Sequence, residues 1–118
     1  MPWRLTVRAG ARVTRSRFNG VDEALQALQV RAQELSREAP RRPVDAKIRQ
    51  FEPVQQVSAR LELAGPQRLS PTVQAGVDVR GDGSTEAFLG RVRRRVVEQQ
   101  RGEDVYQALG RAVRARLG

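Results

Sequence analysis

Arg91, Arg93 and Arg95 fall at every second position, and Phe88, Val92 and Val96 lie at alternate positions of the same stretch. Read as an extended segment, this puts the three guanidinium groups on one face and apolar side chains on the other. A short amphipathic helix is predicted to follow and adds Arg111, Arg114 and Arg116. Near the start of the chain, Arg4, Thr6 and Arg8 alternate with Trp3, Leu5 and Val7 in the same manner. Planar, permanently charged groups fixed on ordered structure suit a polyanion better than a small substrate. The chemistry they offer is contact with phosphates. The expected contact residues are Arg91, Arg93, Arg95, Arg111, Arg114, Arg4 and Arg8.

Bond-making chemistry finds little support in the chain. There is neither His nor Cys, which removes most zinc sites, Ser-His-Asp triads, Cys-His nucleophiles and imidazole bases. The acidic pairs Asp22-Glu23 and Glu103-Asp104 sit at predicted helix starts, where negative charge favours the helix dipole. The stretch from Asp78 to Glu86 has oxygen ligands but lacks the spacing of a calcium loop, and its Gly81-Asp82-Gly83-Ser84 core reads as a tight hairpin turn. Gly81 and Gly83 form no phosphate loop, because no Gly-Lys-Ser/Thr follows them. Lys47, the single lysine, has no visible source of a lowered pKa and reads as a solvated strand residue. The expectation is a protein that is not an enzyme and holds no cofactor and no metal.

Charge points the same way as the arginine pattern. The 22 basic side chains outnumber the 13 acidic ones, for a formal net charge of +9. A GC-rich coding sequence explains why the basic residues are arginines, but not why they are in excess. Phe88 and Tyr106 match apolar positions and read as core, so a single-strand binder that stacks bases on aromatics is disfavoured. A solvated charged face and an acidic protein partner are the competing readings of the same arginines. With only five aromatic residues the core must be built of Val, Leu and Ala, and such a thin core makes a homodimer plausible.

The elements that must carry these residues follow from periodicity. At 118 residues the chain is expected to form one domain. Residues 3–8 alternate as a strand; Ala9-Gly10-Ala11 either turns a hairpin into a second strand over residues 12–18 or lies within one bent strand. Asn19 reads as the N-cap of a helix whose stripe is Val21, Leu25, Leu28, Ala32 and Leu35. Pro40 and Pro43 close that helix and begin a connector. Strands are predicted over residues 46–51 (broken by Pro53), 57–63, 73–79 and 85–98, and a last helix from about Gly102. The fold class is α+β: a single, mostly antiparallel sheet with two helices on one face, in ββαβββα or βαβββα order. No apolar run approaches the ~20 residues of a membrane span, and no apolar leader is visible, so a cytoplasmic location is expected.

Glu103-Asp104-Val105-Tyr106-Gln107-Ala108-Leu109 resembles the start of the last helix in the ribosome hibernation-promoting factor family, where Glu-Asp-Met-Tyr is followed by an Ala-Ile pair. That resemblance implies a small cytoplasmic domain that lies on ribosomal RNA. Double-stranded RNA-binding domains share the later β-β-β-α order, but the lysine-rich start of their final helix is absent here. The functional expectation is non-catalytic binding of structured RNA through an arginine-rich surface. The alternative is a small protein-interaction or structural module.

Overall fold

Strict alternation at the start of the chain produces β1 (Trp3–Ala9), which turns at Gly10 (φ 61°) into an antiparallel β2 (Arg12–Phe18). The hairpin is therefore realised and the bent strand is not. The computed structural model describes residues 2–39, 44–45, 50–51, 57–66, 73–90 and 93–117. The connector residues Pro40 and Pro43, the lone Lys47 and Pro53 lie outside them.

α1 (Val21–Glu38) has Gly20 at its N-cap with no side-chain cap bond, so Asn19 does not play that role. Asp22 and Glu23 in the first turn and Arg37 in the last complement the helix dipole. Its buried face is Ala24, Leu28, Ala32 and Leu35, with Val21 and Leu25 flanking it half-buried. Residues 46–49 of the strand expected over residues 46–51 lie outside the described residues; on either side of them β3 (Val44–Asp45) and β4 (Gln50–Phe51) pair antiparallel as a separate two-stranded sheet.

The main sheet is completed by β5 (Val57–Gly65), β6 (Val73–Arg80), β7 (Thr85–Leu89) and β8 (Arg95–Val96). Its strand order is β2-β1-β5-β6-β7-β8, and every neighbouring pair is antiparallel. Register aligns Leu5, Leu63, Ala75 and Leu89 in one row and Val7, Leu61, Val77 and Ala87 in the next but one. Those rows face α1 and α2 (Val105–Leu117), and Leu28, Leu61, Leu63, Val77, Leu109 and Val113 are fully buried between sheet and helices. Each such side chain contributes about 1.5–3 kcal/mol by leaving water. The architecture is α+β, with the helices on one side of the sheet and a polar face on the other. Among the described residues no helix is long and apolar enough to cross a membrane.

One predicted strand is not continuous. β7 stops at Leu89, and Gly90 adopts φ 95°, a conformation open to glycine, while its N–H donates to the Gln74 carbonyl at 2.7 Å. The chain bends there and returns as β8, with Val96 opposite Phe88 and Arg95 opposite Leu89. An apolar–basic alternation continues through the bend, which is why residues 85–98 read as one strand.

Candidate nucleic-acid interface

The bend dissolves the arginine stripe expected at residues 91–95. Arg91 and Val92 lie outside the described residues, Arg93 sits on the bend, and Arg95 belongs to the row that faces the helices. Val96, expected to be buried, is 52% exposed. Phe88 is buried, but on the polar side of the sheet and outside the main core cluster. Its ring rests over Gly76 and is covered by Arg60 and Arg94, whose guanidinium carbons lie 5.8 and 5.2 Å from the ring centroid. Arg93, Arg94 and Arg95 are all exposed, yet they do not share one face.

The helix arginines are engaged in holding the fold. Arg111 donates from Nε to Glu103 Oε2 at 2.9 Å and from Nη2 to Glu103 Oε1 and the Glu98 carbonyl. That contact, helped by the Gln100 N–H, holds the Glu103 carboxyl below the ordinary carboxylate range. Asp104 and Gln107 form a reciprocal capping box: Asp104 Oδ1 accepts from the Gln107 N–H at 2.7 Å, and Gln107 Oε1 accepts from the Asp104 N–H at 2.8 Å. The helix therefore starts at Val105, just beyond the acidic pair. Arg114 reaches Asp22 on α1 at 2.7 Å across an exposed gap, leaving Arg116 at the free end of α2.

On the polar sheet face, register sets out three rows. One runs Val13, Arg8, Arg60, Asp78, Glu86; the next runs Arg15, Thr6, Glu62, Gly76, Phe88, Val96; the third holds Arg17, Arg4, Ala64 and Gln74. The centre is neutralised. Arg60 grips Asp78 with two bonds of 2.6 and 3.0 Å, Arg8 meets Glu62 at 3.0 Å, and Arg80 meets Glu86 at 2.8 Å. Asp78 is only 7% exposed, and its hydrogen bonds raise the Arg60 guanidinium further above its ordinary value against the opposing effect of burial.

The β1–β2 edge is the reverse. Arg4 and Arg17 are directly opposite each other, Arg15 lies one row along the same face, and Arg12 projects from the other face of β2. Among the described residues none of these four has a carboxylate partner. Arg4 and Arg8 thus part company: Arg8 is paired, while Arg4 has no carboxylate partner among the described residues. The sequence reading missed Arg12, Arg15 and Arg17. Their signal was present, since the first 21 residues hold five arginines and no acid.

No cluster of three or more acidic side chains that could hold a metal occurs among the described residues. Asp82 spends its carboxylate on the turn: Oδ1 accepts from the Ser84 hydroxyl at 2.6 Å and its N–H at 2.9 Å, which holds the acid below its ordinary range. The Arg80 N–H to Ser84 carbonyl bond closes that hairpin as expected. No family profile, no curated protein and no solved structure matches this chain.

Proposed function

We propose that this protein is a non-catalytic, cytoplasmic binder of structured RNA, and that its contact surface is the arginine-rich β1–β2 edge. The observation that carries the reading is the direct opposition of Arg4 and Arg17 with Arg15 beside them and no acid paired with them among the described residues. Like charges placed opposite each other on one sheet face oppose folding. An RNA phosphate backbone supplies the missing negative charge, and each neutralised phosphate releases counterions.

The rest of the polar face argues for duplex backbone over unpaired bases. The aromatic ring on that face, Phe88, is 5% exposed and roofed by two arginines, so it offers no stacking platform. Both helices lie on the opposite side of the sheet, with Arg111 and Arg114 in ion pairs, which leaves no basic helix to enter a DNA major groove. Ribosomal RNA is the class implied by the resemblance at Glu103–Leu109. That resemblance now has a local explanation as well, because Asp104 and Gln107 cap the helix.

The test is a salt titration of duplex RNA binding with the wild type and the Arg4→Gln/Arg15→Gln/Arg17→Gln variant. The variant should keep or slightly raise its melting temperature, bind more than tenfold weaker, and show a log–log salt slope shallower by about 2–3. Absence of binding by the wild type at micromolar protein and about 50 mM salt would remove the proposal.

A further inference from the structure

We infer that β2 meets RNA edge-on, as a blade seated in the wide minor groove of an A-form duplex, with arginines from both of its faces on the flanking phosphate strands. This rests on the RNA reading above and assigns its contact geometry. An ordinary edge strand buries one of its faces, yet residues 12–17 of β2 are exposed on both. The core reaches only its Phe18 end: Val7 and Leu5 of β1 are buried, while their partners Thr14 and Ser16 on the same face are exposed. β2 also ends the strand order, so its outer edge pairs with no other strand among the described residues.

The side chains are sorted to suit a groove. Arg15 and Arg17 project from the polar face and Arg12 from the helix-side face, so positive charge flanks the blade on both sides. The hydroxyls of Thr14 and Ser16 share the helix-side face with Arg12, and the outer backbone groups of the edge, which pair with no strand among the described residues, lie between the two faces. A single sheet layer is about 10 Å thick, which the deep, narrow major groove of A-form RNA does not admit and the wide, shallow minor groove does. That minor groove displays 2′-hydroxyls, which Thr14, Ser16 and the free backbone groups complement. Arginines on an edge also guard against strand-to-strand aggregation. That role alone asks nothing of Arg12 in binding and gives no preference between RNA and DNA.

The experiment measures affinity of the full chain for an RNA duplex of about 16 base pairs and a DNA duplex of the same sequence. The variants are Arg12→Gln, Arg15→Gln and the pair Thr14→Val/Ser16→Ala, each checked for an unchanged melting temperature. Edge-on seating predicts that the wild type prefers RNA. It predicts that Arg12→Gln weakens binding as much as Arg15→Gln does, each with a salt slope shallower by about 1. The hydroxyl variant should narrow the RNA–DNA difference and leave the salt slope alone. Wild-type affinity for Arg12→Gln beside a weakened Arg15→Gln would mean face-on contact and overturn the inference while sparing the RNA reading. Equal binding of RNA and DNA would overturn it too. Absence of duplex binding by the wild type would remove the RNA reading and this geometry with it.

Discussion

The centre and the β1–β2 edge of the polar sheet face use the same residue type for opposite purposes. At the centre the strand arginines are matched: Arg60 by Asp78, Arg80 by Glu86 and Arg8 by Glu62. At the edge, Arg4, Arg15 and Arg17 face one another and water. Pairing at the centre closes the surface, since the guanidinium donors of Arg60 are directed at Asp78 while its flat side covers Phe88. At the edge no carboxylate among the described residues takes up the guanidinium donors. Net charge alone would have treated the two regions alike; what separates them is where the acids fall in the register.

The sharpest way to break the centre is Gly76→Ala. A Cβ at that position would collide with the Leu61 carbonyl oxygen and sit 2.7 Å from Phe88 Cζ. The carbonyl belongs to the adjacent strand and cannot move without disturbing the ladder. Overpacking of this kind costs about 3 kcal/mol, which lowers the melting temperature by roughly 10 °C in a domain of this size. A loss of only a degree or two would mean that Phe88 does not rest on Gly76, and the register of the polar face would need revision.

The next effect is smaller and separates buried from exposed pairing. Asp78→Ala leaves the Arg60 guanidinium without its bidentate partner beside a nearly buried position. Removing one member of a buried pair costs up to 3–5 kcal/mol, and the 29% exposure of the Arg60 side chain reduces this to about 2. Glu62→Ala removes the partner of Arg8, whose side chain is 51% exposed, and should cost under ~1 kcal/mol. Chemical denaturation of both variants gives the ratio. Equal losses would dissolve the distinction between a closed centre and an open rim.

How much of this could be read in advance depended on whether a feature is local. Trp3-Leu5-Val7, residues 57–63 and residues 73–79 alternate because one face packs against the helices, so strands, faces and the α+β class were all legible. The Gly81–Ser84 turn was legible for the same reason, since Asp82 and glycine act within four residues. The bend at Gly90 was not, because a hairpin and a continuous strand share the same alternation. Nor was the burial of Phe88 on the polar side, which depends on a glycine twelve residues earlier lying opposite it. The proposed contact surface fell between these cases. The acid-free start of the chain was plain, but which arginines face one another appears only when the hairpin fixes Arg4 against Arg17.

The smallest change tests the comparison most directly, because it converts a piece of the edge into a piece of the centre. Arg17→Glu places a carboxylate opposite Arg4 on the same sheet face, in the arrangement that Arg60 and Asp78 already use. Exchanging a like-charge for an opposite-charge cross-strand pair should stabilise the fold by about 0.2–1 kcal/mol, a rise of roughly 1–4 °C. Under the proposed RNA reading the same change removes one phosphate contact, occupies Arg4, and adds a charge that repels the RNA backbone. RNA affinity should therefore fall further than in Arg17→Gln, with the difference shrinking as salt is raised. A fold that becomes more stable while binding is lost would show that the edge gives up stability to keep its arginines free. A stabilised variant with unchanged RNA affinity would make Arg4 and Arg17 ordinary solvated side chains. A destabilised variant would mean that the two do not face each other.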